Sequence, residues 1–143
     1  MFFDEYPRFL DTSVTAAGQR RLDIRQEAMI AQHAHLLRGK RVLDIASHDG
    51  RWSFAALKTA GASHVTGVEA NSALVSNAEE TFQHYGVSKD QYRFIDADVF
   101  EVLADPARHG IEVDVVMCLG FNTTRCATPS SSTGSAPSSR SAC

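Results

Sequence analysis

"RVLDIASHDGRW", residues 41–52, decides how this chain is to be read. It opens as an apolar strand, meets an acid at Asp44, and passes through "ASHDG" into a segment with helical spacing. A strand that ends in a Gly-containing turn and feeds straight into a helix is the first half of a βαβ unit. Three further apolar runs follow: "HVTGVEA" (64–70), "YRFIDAD" (92–98) and "VDVVMCLG" (113–120). The segments between them, 50–61, 71–86 and 99–110, carry helical patterns. The second begins with an Asn/Ser cap and sets Leu74, Ala78, Phe82 and Tyr85 on one stripe; the third is shorter and meets Pro106. Strands alternating with helices predict a parallel sheet with right-handed crossovers. The near-continuous apolar strands predict cover on both faces.

Upstream, a helical pattern runs from Leu22, with Leu22, Met29, Ile30, His33 and Leu37 near one face and Gly39 as its C-cap. Residues 1–21 are mixed polar and aromatic without a clear period and read as a lead-in segment. The expected domain is 22–121.

The totals narrow the classes. A chain of 143 residues with 43% apolar residues can bury one core. A net charge of −3, with both signs interspersed, gives no basic footprint for nucleic acid and no polybasic membrane patch. A nucleic-acid substrate held by a local patch stays open. No apolar run approaches the ~20 residues of a membrane span, and the acids in "MFFDEYPRFLDTS" argue against a secretory signal. Cys118, Cys126 and Cys143 are odd in number and lack metal-type spacing, which fits unpaired thiols in a reducing cytoplasm and no metal site.

Ligands of parallel sheets bind beyond the carboxyl ends of the strands, where strand order reverses. Here Asp44, Glu69 and Asp98 each stand at such an end. Three acids along one edge imply a ligand with hydrogen-bond donors and positive charge. The backbone N–H groups of Asp49 to Trp52 are expected to point into the crevice at the helix start, and Gly50 to take a backbone geometry closed to other residues. Glu69 is placed to accept from a ribose diol, and Asp98 from an exocyclic amine.

These residues resemble the class I S-adenosylmethionine-dependent methyltransferases, over roughly 22–121 and most closely over 41–70. "VLDIASHDG" stands in the place of the family's V-L-D-x-G-x-G-x-G, "VTGVEA" in that of its ribose-binding motif, "DAD" before Val99 in that of its adenine motif, and "VDVVMCLG" in that of its fourth strand. The resemblance implies an α/β, Rossmann-like, doubly wound parallel sheet, here incomplete with about four strands of the family's seven. It implies S-adenosylmethionine as cofactor, held by Asp44, Ala46, Ser47, His48, Gly50, Glu69, Ala70, Asp98, Val99 and Cys118. The methyl acceptor, small molecule or RNA, and the catalytic residues stay unassigned. The other reading is a non-catalytic nucleotide-binding or interaction module on the same fold.

The sequence departs from the family where Ala46 and His48 replace the first two glycines of the turn. Some members carry a similar Asp-Gly turn before a Phe/Trp-Ser-Phe helix, as "DGRWSF" does, so the turn reads as a variant. An acid at Asp44 without G-x-G-x-x-G argues against a dinucleotide, whose pyrophosphate needs glycines and helix N–H groups there. For Asp44, Glu69 and Asp98 the competing role is local: loop ordering or helix capping. His48 reads as a turn residue, with a catalytic base as the sharper alternative. Trp52 and Phe54 read as packing residues. Arg20, Arg21 and Arg25 read as solvated, with the alternative that one closes over the cofactor's carboxylate. Tyr6 and Phe9 are candidates for covering the site.

After Phe121 the composition changes. Residues 122–143 hold no Leu, Ile, Val, Phe, Tyr, Trp or Met and are expected to be disordered. The segment is expected to be an out-of-frame translation, with a natural tail as the alternative. On either reading, strand 113–119 becomes an uncovered apolar edge.

Overall fold

A computed structural model of the chain describes residues 1–12 and 18–119. Its centre is four parallel strands, β1 Arg41–Ile45, β2 His64–Glu69, β3 Tyr92–Asp96 and β4 Val115–Met117, in the order β3-β2-β1-β4. The chain moves outward from β1 through β2 to β3, then returns to place β4 on the other side of β1. Strand order therefore reverses between β1 and β4, the ligand crevice of such sheets. In register, Asp44 lies beside Gly67 and Met117, and Glu69 beside Asp96. The α/β, Rossmann-like reading holds.

Before the strands come α1 Phe2–Glu5, α2 Arg8–Asp11, α3 Gly18–Gln26 and α4 Ala34–Leu37; after β1, β2 and β3 come α5 Arg51–Lys58, α6 Ser72–His84 and α7 Val99–Ala104. Strand alternation sorts the core. Val42 and Val65 face α5 and α6, in a cluster with Phe54, Ala55, Phe82 and Tyr92. Leu43 and Val68 face the other way, with Val102 of α7. α6 follows its sequence pattern: Asn71 accepts from the N–H groups of Ala73 (3.0 Å) and Leu74 (3.4 Å), and Ala78 and Phe82 are fully buried. β4 is shorter than the apolar run predicts; just before it the Asp114 carboxylate accepts from the Arg41 N–H at 2.9 Å and from Arg41 Nη2 at 3.1 Å.

Two segments differ from the sequence reading. The helix expected from Leu22 contains a π turn over Glu27–Ala31, where the Gln32 N–H reaches the Glu27 carbonyl. A π turn adds a residue and rotates the rest of the helix about its axis. Beyond Leu22 and Gln26, buried ahead of the turn, Ile30 and Leu37 are buried while Met29 and His33 are exposed. The lead-in segment, moreover, belongs to the core. Phe3 and Phe9 are buried, the Phe3 N–H donates to Asp23 Oδ1 at 2.9 Å, and the Arg8 N–H donates to the Tyr85 hydroxyl at 3.0 Å. Tyr6 and Phe9 pack on Phe54, with ring centroids 4.6 and 5.2 Å away. Two one-turn helices carry these rings, so no period of 3.6 emerges. The tail reading concerns 122–143, which lie outside the described residues.

Candidate functional site

Asp44 sits on the α5 side of β1 with no solvent exposure. Its Oδ2 accepts from the Ser53 hydroxyl at 2.8 Å, while Oδ1 has no hydrogen-bond partner within the protein. The Ser47 hydroxyl, equally buried, also lacks one. Burial pushes the Asp44 carboxyl up to about 7; the Ser53 hydrogen bonds oppose this, and the negative charges of Asp49 and Glu69 add to it. A buried carboxyl with a spare oxygen at a strand's carboxyl end is suited to a cation, which would restore its charge.

The turn that follows is strained. Ala46 and His48 both have φ +55°, and Gly50 has φ +78°. A non-glycine residue in this region costs on the order of 1–3 kcal/mol and persists where the surroundings over-determine it. Here β2 supplies the determination. The Ser47 N–H donates to the Val68 carbonyl (3.0 Å) and the His48 N–H to Glu69 Oε2 (3.0 Å). Glu69 Oε1 accepts from the Asn71 N–H at 3.0 Å, so one half-buried carboxylate ties the turn to the start of α6.

Two glycines make room for one ring. A Cβ at Gly67 would stand 2.5 Å from Phe94 and 2.8 Å from Ser47 Oγ; one at Gly50 would stand 2.8 Å from Phe94. Gly67 looks like an ordinary strand position in the sequence, although a glycine inside a strand is itself the signal of close approach. The N–H groups at the helix start do not all face the crevice: the Gly50 N–H donates to the Ser47 carbonyl (2.9 Å) and the Arg51 N–H to Asp49 Oδ1 (3.2 Å).

Asp49 is a buried charge. Arg51 grips it twice, Nε to Oδ1 at 2.8 Å and Nη2 to Oδ2 at 2.6 Å. The Thr12 hydroxyl donates to Oδ2 as well, and Arg51 Nη2 also donates to Thr12 Oγ1 at 3.1 Å. Burial would raise this carboxyl, but contacts from His48, Arg51 and Thr12 outweigh it and hold it at about 2. The His48 ring, part exposed, sets Nδ1 3.6 Å from Asp49 Oδ1, beyond hydrogen-bond range. Sequence reading missed this cluster: Asp49 and Arg51 are only two residues apart but stand in a turn and at a helix start, and Thr12, which completes it, lies 37 positions from Asp49.

Arg25, on α3, lies at the same edge. Its guanidinium stacks 5.1 Å from the Trp52 ring centroid, and Nη2 donates to the Leu119 carbonyl at 3.0 Å. Partial burial, then the positive charges of Arg21 and Arg51, pull it below its usual range. It is thus placed rather than solvated, while Arg21 is exposed.

The remaining sequence candidates spread along the carboxyl edge. Asp98 is exposed and caps α7, its Oδ1 accepting from the Phe100 N–H at 2.7 Å. Val99 packs against the Leu43–Val68–Val102 cluster. Ala70 is exposed just beyond β2, and Cys118, just beyond β4, is an exposed free thiol. No helix among the described residues is long and apolar enough to cross a membrane.

The chain is similar in sequence and fold to known proteins. The sequence model of a family described as "Methyltransferase domain" matches residues 42–131. Two curated proteins of Methanocaldococcus jannaschii, named as candidate ribosomal RNA large-subunit methyltransferases, are each 35% identical over 80 residues, covering 55% of this chain and 20% of their own. The chain thus spans about a fifth of the length of these relatives. Among solved structures, the Trypanosoma brucei PRMT1 enzyme–prozyme complex with AdoHcy is 30% identical with TM-score 0.56, covering 68% of this chain and 28% of that one. A candidate RNA methyltransferase from Pyrococcus horikoshii shares the fold at 24% identity and TM-score 0.54, covering 66% of this chain and 44% of that one.

Proposed function

The chain belongs to the methyltransferase-domain family, and from that premise we propose that it binds S-adenosylmethionine over the turn 46–50 and serves methyl transfer to an RNA acceptor. One observation carries the reading: the spare, buried oxygen of Asp44 and the half-buried carboxylate of Glu69 flank a strained turn beside the point where strand order reverses. The residues fit the cofactor. An ammonium meets Asp44 Oδ1, directly or through water, and Ser47 Oγ offers a second polar atom beside it. Glu69 keeps lone pairs on both oxygens for ribose hydroxyls. Asp98 and Val99 stand at the adenine end, and Ala46, His48, Gly50, Ala70 and Cys118 line the path between.

When bound, the cofactor supplies a methyl group on a positively charged sulfur, which an acceptor displaces in line. The chain's own part is placement and charge: Asp44 holds the amino-acid end, Glu69 the sugar, and the pinned turn fixes the distance between them. The names of the two curated relatives support RNA as the acceptor. With net charge −3, such contact is local rather than global.

Calorimetry on the full chain tests the first step. S-adenosylhomocysteine is expected to bind with one site per chain. ATP binding in its absence would favour the non-catalytic nucleotide module instead. Transfer of labelled methyl groups into ribosomal RNA, and not into bulk protein, is the expected result for the acceptor.

A further inference from the structure

We propose that the amino edge of the sheet docks the phosphate backbone of the RNA acceptor through Arg38, Lys40 and Arg93, grouped around His64; this rests on the RNA reading above and locates the contact away from the turn 46–50. The two edges of the sheet differ in charge. Asp44, Glu69, Asp96 and Asp98 stand at the carboxyl edge. Phosphates are repelled there, so the backbone needs another hold while a single nucleotide reaches the crevice.

At the amino edge, Arg41 lies beside His64 in register, and Arg93 beside Thr66. Strand alternation sets Arg41, His64 and Arg93 on one face, the face of Leu43, Val68 and Ile95. Arg38 and Lys40 join them from the turn before β1. That turn is tied to the loop before β2: the Gly39 N–H donates to the Gly61 carbonyl at 2.8 Å, and the Ser63 N–H to the Lys40 carbonyl at 2.9 Å.

The acids close by are mostly engaged. Glu112 and Asp114 both hold Arg41, at 2.6 and 3.1 Å. Glu79 holds Lys89, and Asp90 stands in the turn before β3. Among the described residues, Arg38 and Arg93 form no ion pair, and Lys40 acts on Asp114 only through space. All three cations are exposed. Arg93 is nonetheless fixed, because its Nη1 donates to the His109 carbonyl at 2.7 Å; most of its guanidinium fork is left for phosphate oxygens. Partial burial, then the positive charge of Arg93, pulls His64 below its usual range; an anion beside them relieves the second. From β1 to β3 the cations cross two strand spacings, about 10 Å. One free phosphate does not span that distance, whereas a chain of phosphates does. Contacts of this kind position RNA without reading its sequence.

The test is salt-dependent binding of a single-stranded ribosomal RNA fragment to the full chain. Arg38→Gln, Lys40→Gln and Arg93→Gln together are expected to weaken binding about tenfold at about 0.1 M salt. The slope of log affinity against log salt should fall by about two, at ~0.7 for each lost contact. Binding of S-adenosylhomocysteine is expected to stay as in wild type. Lys40→Gln alone, in an exposed turn, should lower the slope by ~0.7 and serves if the triple variant does not fold. Arg38→Lys with Arg93→Lys keeps the charge and is expected to keep the slope. Unchanged RNA affinity and slope in the Gln variants overturn the proposal, as does an equal loss in the Lys variant. Tighter binding of wild type to phosphatidylserine vesicles than to RNA assigns the edge to a membrane and overturns it too. Failure of wild type to bind any RNA overturns the RNA reading itself, and that result is distinct from the others.

Discussion

Asp44 and Ser53 share a 2.8 Å hydrogen bond in a place where neither residue touches solvent, and this pair joins the end of β1 to the first turn of α5. The hydroxyl satisfies one carboxyl oxygen and leaves the other for a ligand.

The first prediction concerns stability without ligand. Folded Asp44 keeps its proton to about pH 7, whereas an ordinary aspartate releases it near 3.8. Between those values the folded chain binds more protons than the unfolded one, so stability falls as pH rises, by up to about 4 kcal/mol from this group. Asp44→Asn removes that slope. Urea unfolding at pH 5 and pH 8 checks it; identical pH dependence in wild type and variant would refute the role of burial.

Ligand binding should run the other way. A bound ammonium needs the ionised carboxyl, which predominates above about pH 7. Affinity for S-adenosylmethionine is expected to drop by as much as about tenfold per pH unit below that point. In Asp44→Ala, binding should weaken by roughly 1.5–3 kcal/mol and lose this pH dependence. Titrations at pH 6 and pH 8 decide it.

Glu69 makes a different prediction, because its carboxylate already holds two backbone N–H groups. Glu69→Gln keeps the shape but loses an acceptor and the charge. The variant is expected to lose discrimination between S-adenosylhomocysteine and its 2′,3′-dideoxy analogue. Full discrimination in the variant would remove Glu69 from the sugar site.

Asp49→Asn should destabilise by about 3–5 kcal/mol, since it leaves Arg51 buried without a counter-charge. Pairing the change with Arg51→Met should recover much of the loss. Chemical denaturation of the two single variants and the double variant measures the coupling.

Gly67→Ala sets a methyl group against the Phe94 ring, at 2.5 Å from Cδ1. Overpacking of this kind costs about 1–3 kcal/mol. Phe94→Leu in the same chain should relieve part of it, and thermal unfolding of the series reports the relief.

Much of this was legible in the sequence because local rules carried it. The four apolar runs, the Asn71 cap and the stripe through Ala78 and Phe82 depend on near neighbours, and the acids at the strand ends follow from where strands stop. The Asp49–Thr12 contact spans 37 positions, and no period connects them. The π turn after Gln26 depends on how the helix settles against the core, and neither it nor the exposure of Met29 and His33 carries a sequence mark. Arg25 looked like a surface cation, because Trp52 and Leu119 come to it only through the fold.

The aromatic lead at the start of the chain has a consequence in time. The contact between Arg8 and Tyr85 joins residues 77 positions apart. At about 5–20 residues per second of synthesis, roughly 4–15 s pass between the appearance of the first residue and that of the second. Until α5 and then Tyr85 emerge within that interval, Phe2, Tyr6 and Phe9 lack the rings of Phe54 and Tyr85 that they later pack against. On a nascent chain the segment that braces the turn in the finished protein thus waits as apolar surface, open to chaperones, while the elements that will cover it are still being made.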